Sequence, residues 1–292
     1  MMSHTEAFLE HQPMLYGIAY RMLGSFSDAE DILQDAWLRW QGEHPSKVRS
    51  PTAYLASTVS RLCIDRQRRS NFERLNYPGP WLPEAVDEET SDMLTDTEAS
   101  VQQAQNISLG FIRLLQQLPP VERAVFILKE AFDLSHEEIA TTLDIRVAHS
   151  RQLLRRAKQK MSADESRPVN KEQAITLFEQ FQRAAESGDL EGLQALMAED
   201  IIAYSDGGGK ASAAIIPLVG QERVCTVMMH LLSRLPDAVS TSVEIINGEP
   251  AVLMRDGDTL HSCHSMTIKN GKIYRIYTLR NPDKMRLLDS GQ

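Results

Sequence analysis

The stretch from Arg146 to Lys160 carries six basic residues, Arg146, Arg151, Arg155, Arg156, Lys158 and Lys160, and no acid. Val147, Ser150, Leu154, Ala157 and Met161 recur at helical spacing and predict a core-facing stripe. The opposite side of that helix then presents His149, Gln152 and Arg156, with Arg151 and Arg155 on the flanks. Arginine matches the O6/N7 edge of guanine, glutamine the N6/N7 edge of adenine, and further cations hold phosphates. Just upstream, Ser135-His136-Glu137-Glu138 has the form of a capping box, in which the serine caps and the glutamate three residues on reaches back. A short helix over 137–143, a tight turn at Asp144 and a longer basic helix follow helix-turn-helix order. A solvated basic face is the bland reading; the capped helix and turn favour duplex DNA.

Two weaker constellations lie earlier. Arg61, Arg66, Arg68 and Arg69 sit on a helix predicted over 52–70, beside the loop His44-Pro45-Ser46-Lys47-Val48-Arg49. With Tyr54 and Trp40 nearby, phosphate contact and base stacking suit single-stranded DNA, although cations also suit any helix C-terminus. Asp28, Asp31 and Asp35, with Glu30 and Gln34, share one helix face. It reads either as a solvated face or as a docking surface for a basic protein.

The second half offers acid–base candidates in Asp206, His230, His261 and His264. His261-Ser262-Cys263-His264 also hints at metal. Strand alternation, however, places His261 and Cys263 on one face and His264 on the other, and two ligands do not close a zinc site. Neither metal nor cofactor is expected, and the histidines read as satisfied or exposed. Asp206-Gly207-Gly208-Gly209-Lys210 lacks the spacing of a phosphate loop. Three glycines instead permit close approach of another segment, and Lys210 is a candidate partner for the acidic linker.

The elements that must position these residues change character along the chain. Ala29, Ile32, Leu33, Ala36, Trp37 and Trp40 predict an amphipathic helix with Ser27 as a candidate N-cap. Residues 76–106 hold few periodic apolar residues, seven acids and no base, and read as a flexible linker. Within it, Gly79-Pro80-Trp81-Leu82-Pro83-Glu84 suggests a docking segment. Residues 107–161 read as helical again. From about residue 171 come helices over 171–187 and 190–197, a third over 221–235, and four strand candidates. Asn247-Gly248, Asp256-Gly257 and Asn270-Gly271 separate those strands as hairpin turns. The fold class expected is multidomain: two all-α parts, then an α+β domain with a curved antiparallel sheet.

The length of 292 residues suggests two or three domains. The formal net charge of −9, taken as a sum, argues against a nucleic-acid partner. The sum hides its parts, because the negative charge concentrates in the linker and the C-terminal segment while the helix after residue 146 is locally basic. No apolar stretch approaches the roughly 18 residues that span a bilayer, and the N-terminus lacks a basic start and an apolar run. Three unpaired-looking cysteines, Cys63, Cys225 and Cys263, suggest no disulfide framework. A reducing cytoplasm is the expected location.

Residues 19–24 (AYRMLG) and 28–40 (DAEDILQDAWLRW) resemble region 2 of the extracytoplasmic-function (ECF) sigma factors of bacterial RNA polymerase. Residues 118–126 (LPPVERAVF) with Glu138-Ile139-Ala140 resemble region 4. Residues 171–292 resemble a SnoaL-like domain. Trp81-Leu82-Pro83-Glu84, the Asp206–Lys210 loop and Asn281-Pro282-Asp283-Lys284 are similar to marks of the sigma-J-like subgroup that carries this domain as a fused C-terminal extension. The domains implied are region 2 over 1–75, an acidic linker over 76–106, region 4 over 107–165 and the SnoaL-like domain over 171–292.

The resemblance implies roles. Asp28, Glu30, Asp31, Gln34 and Asp35 would dock on the clamp coiled coil of the polymerase β′ subunit, and the β flap is a second implied partner. The loop over 41–51, with Lys47 and Arg49, would capture a flipped base of the melted −10 element. Tyr54, Arg61, Asp65, Arg66, Arg68 and Arg69 would border that element. Arg146, His149, Arg151, Gln152, Arg155 and Arg156 would read the −35 element. The three subgroup motifs would form interdomain or regulatory contacts. Asp144 stands where the family usually has glycine, Leu62 where many members have asparagine, and Ala85 where the subgroup has proline. The leading expectation is a promoter-specific sigma factor, not an enzyme, regulated in cis by its C-terminal domain. A C-terminal isomerase, cyclase or hydrolase is the competing class, and a sensor domain that binds a small-molecule ligand without turnover is a third.

Overall fold

The computed structural model describes residues 4–43, 48, 50–94, 107–161, 171–234 and 238–289. The chain divides into two compact units. The first comprises Met1–Asn76, Glu89–Ile107 and Phe111–Asp164; the second comprises Tyr77–Glu88, Ser108–Gly110 and Glu165–Gln292.

The first unit is helical, with α1 (His4–Leu23), α2 (Phe26–Gln41), α3 (Pro51–Leu75), α4 (Glu88–Leu94), α5 (Leu109–Leu115), α6 (Pro120–Glu130), α7 (His136–Leu143) and α8 (Val147–Met161), although the first residue of α4 and the first two of α5 are grouped with the second unit. Ser25, not Ser27, caps α2 by accepting from the Asp28 amide at 3.1 Å. The helix therefore starts two residues earlier than expected. Ala29, Ile32, Leu33, Ala36 and Trp40 are buried as the helical period requires. The α1 C-terminus is closed by side chains from two other helices. Arg74 donates to the Leu23 carbonyl at 2.9 Å, while Arg123 of α6 and Gln67 of α3 both donate to the Met22 carbonyl. Carbonyls of a last helical turn have no intrahelical partner, so these donors satisfy groups that would otherwise be orphaned. The same bonds tie the region-4-like Arg123 to the region-2-like α1 within one unit. Arg21, also buried, donates to the Gly17 and Leu94 carbonyls at 3.0 and 3.2 Å. A methyl on Gly17 would sit 2.8 Å from that guanidinium, which is why the close approach needs glycine there.

The second unit is α+β. It holds α9 (Lys171–Ser187), α10 (Leu190–Leu196), β1 (Met197–Asp206), β2 (Leu218–Val219), α11 (Gln221–Leu232), β3 (Val239–Ile246), β4 (Glu249–Asp256), β5 (Thr259–Lys269), β6 (Lys272–Leu279), a 3-10 turn (Pro282–Lys284) and α12 (Arg286–Asp289). The six strands order as β2-β1-β6-β5-β4-β3. Strands β3 to β6 form three successive antiparallel hairpins. Asn247-Gly248 and Asn270-Gly271 take positive φ at both turn residues, the geometry whose twist matches the flanking strands. Among the described residues the one departure from an antiparallel sheet is β1, which runs parallel to β6. Helices α9, α10 and α11 cover one apolar core with Phe178, Leu193, Val224 and Ile276.

The linker is a correction. Residues 77–88 are part of the second unit, and Leu82 and Ala85 are wholly buried in a core with Leu253, Cys263 and Leu279. The predicted flexibility fails there because two apolar side chains and the backbone itself are used in packing. Residues 88–94 are helical; the rest of the expected linker, 95–106, lies outside the described residues.

Candidate nucleic-acid interface and the motif hub

Helices α7 and α8 form the predicted helix-turn-helix. Ser135 accepts from the Glu138 amide and the Glu138 carboxylate accepts from the Ser135 amide at 2.7 Å, completing the capping box. Asp144 closes α7 in the left-handed region at φ 55°, a conformation that aspartate tolerates better than most side chains. On α8 the buried residues are Ser150, Leu153 and Ala157. Ser150 and Ala157 are buried as expected, Leu153 joins them, and Val147, Leu154 and Met161 of the expected stripe are half-buried. Arg146, His149, Arg151, Gln152 and Arg155 remain exposed on the other side.

Arg156 has a second task. Both Arg156 and Lys160 form ion pairs with Glu122 of α6, whose side chain is 3% exposed; the Lys160 distance is 2.8 Å. Burial opposes ionisation of Glu122, but the bonds and charges of Lys160 and Arg156 outweigh it and hold the carboxyl below its usual range. Arg151 lies 3.3 Å from Glu137 in an exposed pair. Arg155 is exposed and has no ion pair among the described residues.

The single-strand surface is only partly assembled. Lys47 and Arg49 lie outside the described residues. Trp40 is 0% exposed and donates from Nε1 to the His4 carbonyl at 2.9 Å. It is therefore a core residue and not a stacking platform, because its helical position faces α1. Tyr54 lies against Trp40 with ring centroids 5.6 Å apart, and its hydroxyl donates to Glu43 at 3.2 Å. Arg61 Nε donates to the Thr142 carbonyl of α7 at 3.1 Å, and Ser57 donates to the same oxygen at 2.7 Å. A cavity of about 620 Å³ between α3 and α7 is lined by Tyr54, Arg61, Glu137 and Thr141. The α3 face assigned to the −10 element is thus next to the helix-turn-helix. Arg68 pairs with Asp65 at 3.5 Å, and Arg69 is exposed.

On α2, Glu30, Asp31, Gln34 and Asp35 are exposed together. Asp28 differs, since Arg66 lies 2.6 Å from its carboxylate. Leu38, 60% exposed, borders the acidic face. Its i+3 and i+4 spacing from Asp35 and Gln34 was available in the sequence, but a single apolar residue carries no signal there.

The three subgroup motifs meet within the second unit. The Asp206 carboxylate, 0% exposed, accepts from the Tyr77 hydroxyl at 2.5 Å, the Leu82 amide at 2.8 Å, the Gly208 amide at 3.0 Å and Lys284 Nζ at 2.7 Å. Lys284 also donates to the Leu82 carbonyl at 2.6 Å and sits 3.8 Å from the Trp81 ring centre. The Asp206 carbonyl accepts from the Arg280 and Asn281 amides. Pro83 and Glu84 are buried in the same strap, and the Ala85 amide donates to the Lys284 carbonyl at 2.9 Å. Gly208 takes φ +59°, and a methyl there would fall 2.1 Å from Asn281 Nδ2. Gly207 has no room for a Cβ either, and Gly209 has φ +72°. Lys210 pairs with Asp283, next to Pro282, and not with the linker acids as expected. Asp283 is held below the usual carboxylate range chiefly by that Lys210 bond. Asp206 is thus a structural hub, not a general base.

His261 and His264 also depart from expectation. Leu260 pairs with Arg255 and Ser262 with Met254, leaving His261 as an extra residue in β5. Such a bulge breaks the two-residue alternation. His261, Ser262 and His264 consequently line one cavity, while Leu260 and Cys263 join the opposite core. His230 is in α11, and no metal-holding cluster of His, Cys, Asp or Glu occurs among the described residues. No described helix is long and apolar enough to cross a membrane.

Comparison with known proteins agrees with the motif reading. The sigma-70 region 2 family model matches residues 7–73 and the sigma-70 region 4 model matches residues 108–161. The chain is 30% identical over 297 residues to the ECF RNA polymerase sigma factor SigJ of Mycobacterium tuberculosis, covering 97% of this chain and 92% of that one. It is 28% identical over 284 residues to the probable ECF RNA polymerase sigma factor SigI of the same species, covering 96% and 93%. The crystal structure of M. tuberculosis SigJ aligns with a TM-score of 0.76 at 28% identity, covering 96% of this chain and 97% of that one. With a capped helix-turn-helix, an acidic α2 face and this similarity along nearly its whole length, the chain belongs to the ECF RNA polymerase sigma factors, which act in transcription initiation.

Proposed function

We propose that this sigma factor docks on the β′ clamp through Glu30, Asp31, Gln34 and Asp35 and on the β flap through its region 4. In this reading α8 reads duplex −35 DNA, and α3 with the loop before it holds the melted −10 strand. The observation that carries it is the exposed row Arg146, His149, Gln152 and Arg155 on a helix whose other side is buried. That arrangement is what base-edge recognition from a recognition helix requires. The test is transcription from a promoter template by core polymerase with the purified full chain. Failure of the chain to direct any promoter-dependent transcript overturns the reading.

The C-terminal unit then acts as a regulator in cis. Support comes from the strap Tyr77–Glu88, which leads out of α3 and is held in the second unit by the Asp206 hub. Trp81→Ala and Lys210→Ala are expected to change promoter output without changing duplex binding. Unchanged output in both overturns the cis-regulation reading. The signal is a small molecule held in the sheet unit's cavity. A working enzyme is not favoured, since the cavity walls carry His261 and His264 but no carboxylate among the described residues.

A further inference from the structure

The cavity of the second unit has a volume of about 380 Å³, within the range of about 300–1,000 Å³ usual for small-molecule sites. Its walls are mostly aliphatic, with Ala203 of β1, Leu218 of β2, Met228 of α11, Met254 of β4 and Ile276 of β6. Methionines give such walls adaptability to flexible apolar bodies, and no Phe, Tyr or Trp lines the cavity among the described residues.

One end is polar, and its polarity is unbalanced. Arg280 donates from Nη2 to His261 Nε2 at 3.0 Å. A guanidinium only donates, so His261 accepts at Nε2 and carries its proton on Nδ1. That Nδ1 is buried without a hydrogen-bond partner, and so is Arg280 Nε. Next to them, His264 bonds Ser262 at 2.8 Å and Thr278 at 3.1 Å. Burial lowers both histidines below their ordinary range, so neither adds a fixed charge at neutral pH. Arg280 has no carboxylate partner among the described residues, and Arg234, which is exposed, lines the same cavity. The cavity lining thus carries the Arg280 and Arg234 guanidiniums and no carboxylate among the described residues, an excess of donors and positive charge that suits an anionic acceptor.

We propose that this cavity binds a small aliphatic monocarboxylate, its carboxylate at Arg280 and His261 and its chain along the Leu218–Met228–Met254 wall. A compact polyanion would leave the aliphatic wall unmatched, and a neutral hydrocarbon would leave the donors unmatched. The inference rests on the reading of the C-terminal unit as a ligand-responsive regulator, and it names the ligand class.

The test is calorimetric titration of the full chain with octanoate, octanol, benzoate and inorganic phosphate. Octanoate is expected to saturate one site and to bind at least about tenfold more tightly than each of the others. Arg280→Gln should lose about tenfold in octanoate affinity while leaving octanol unchanged. Because Arg280 also bonds the Ser212 carbonyl, Met228→Trp serves as the second variant, expected to block octanoate by filling the aliphatic end. No saturable octanoate binding, equal affinity for octanoate and octanol, or octanoate affinity unchanged in both variants overturns the proposal. If octanoate binds as expected but promoter output does not respond, the site stands and the regulatory reading falls.

Discussion

Lys284 and Asp206, 78 residues apart, form an ion pair of 2.7 Å in which the lysine side chain is 11% exposed and the aspartate 0%. The pair is not isolated. The carboxylate has three further donors, and the ammonium has the Leu82 carbonyl and the faces of Trp81 and Tyr77. Removing one member of a buried pair leaves an uncompensated charge and costs about 3–5 kcal/mol. Lys284→Met is therefore expected to destabilise the protein by that amount in urea unfolding. A loss below about 1 kcal/mol, the range of surface pairs, would show that the hub is not a stability element.

Within α8, Arg155 and Arg156 are neighbours with different expected phenotypes. Arg155→Ala should weaken binding to a −35 duplex by about 1–3 kcal/mol at fixed salt and leave the melting temperature unchanged. Arg156→Ala should weaken binding as well, but should also lower the melting temperature, because Glu122 loses one of its two cations. Duplex titration and thermal unfolding of both variants separate the roles. Identical behaviour of the two would refute the division.

The bonds from Ser57 and Arg61 to the Thr142 carbonyl hold α3 against α7. If α3 must receive the melted strand, the two helices have to separate during initiation. Ser57→Cys with Thr141→Cys, both lining the α3–α7 cavity and not buried, joined by a short bismaleimide, is expected to lose promoter-dependent transcription while keeping duplex binding through α8. The native Cys63, Cys225 and Cys263 are all buried, so the linker reacts selectively. Full activity after cross-linking would show that separation is not needed.

His264 gives a pH signature. Burial, then the charges of Arg280 and His261, push its pKa down from 6.5 to about 4. The unfolded chain takes up the proton first as pH falls below 6.5, so the contribution to stability is present above pH 6.5 and is lost on descending toward pH 4. Urea unfolding between pH 7 and 5 should show a falling stability whose slope is reduced in His264→Gln. An unaltered slope in that variant assigns the effect to other groups.

Much of the helical half was legible. The capping box Ser135/Glu138, the turn at Asp144 and the apolar periodicity of α2 are local patterns, and local hydrogen bonding and helical period enforce them. The hairpins at Asn247-Gly248 and Asn270-Gly271 were legible for the same reason. Features that depend on a distant partner were not. The expected linker over 76–106 reads as acidic and aperiodic, yet Leu82 and Ala85 fill a core whose other residues come from some 160 to 200 positions later. The Lys210–Asp283 pair and the role of Arg123 in closing α1 belong to this class.

The acid–base candidates mark the boundary most clearly. Residue types and order alone determined that this chain carries sigma regions 2 and 4, a basic recognition helix and an α+β extension with three unusual motifs. Only the tertiary structure decided what those motifs do. Asp206 became a fully satisfied hub because four donors from three segments converge on it. A single bulge at His261 shifted the strand by one residue and brought His261, Ser262 and His264 to one cavity wall. Alternation is a two-residue rule, and one inserted residue reverses it. No local pattern signals that insertion, because a bulge is set by the pairing of β5 with β4.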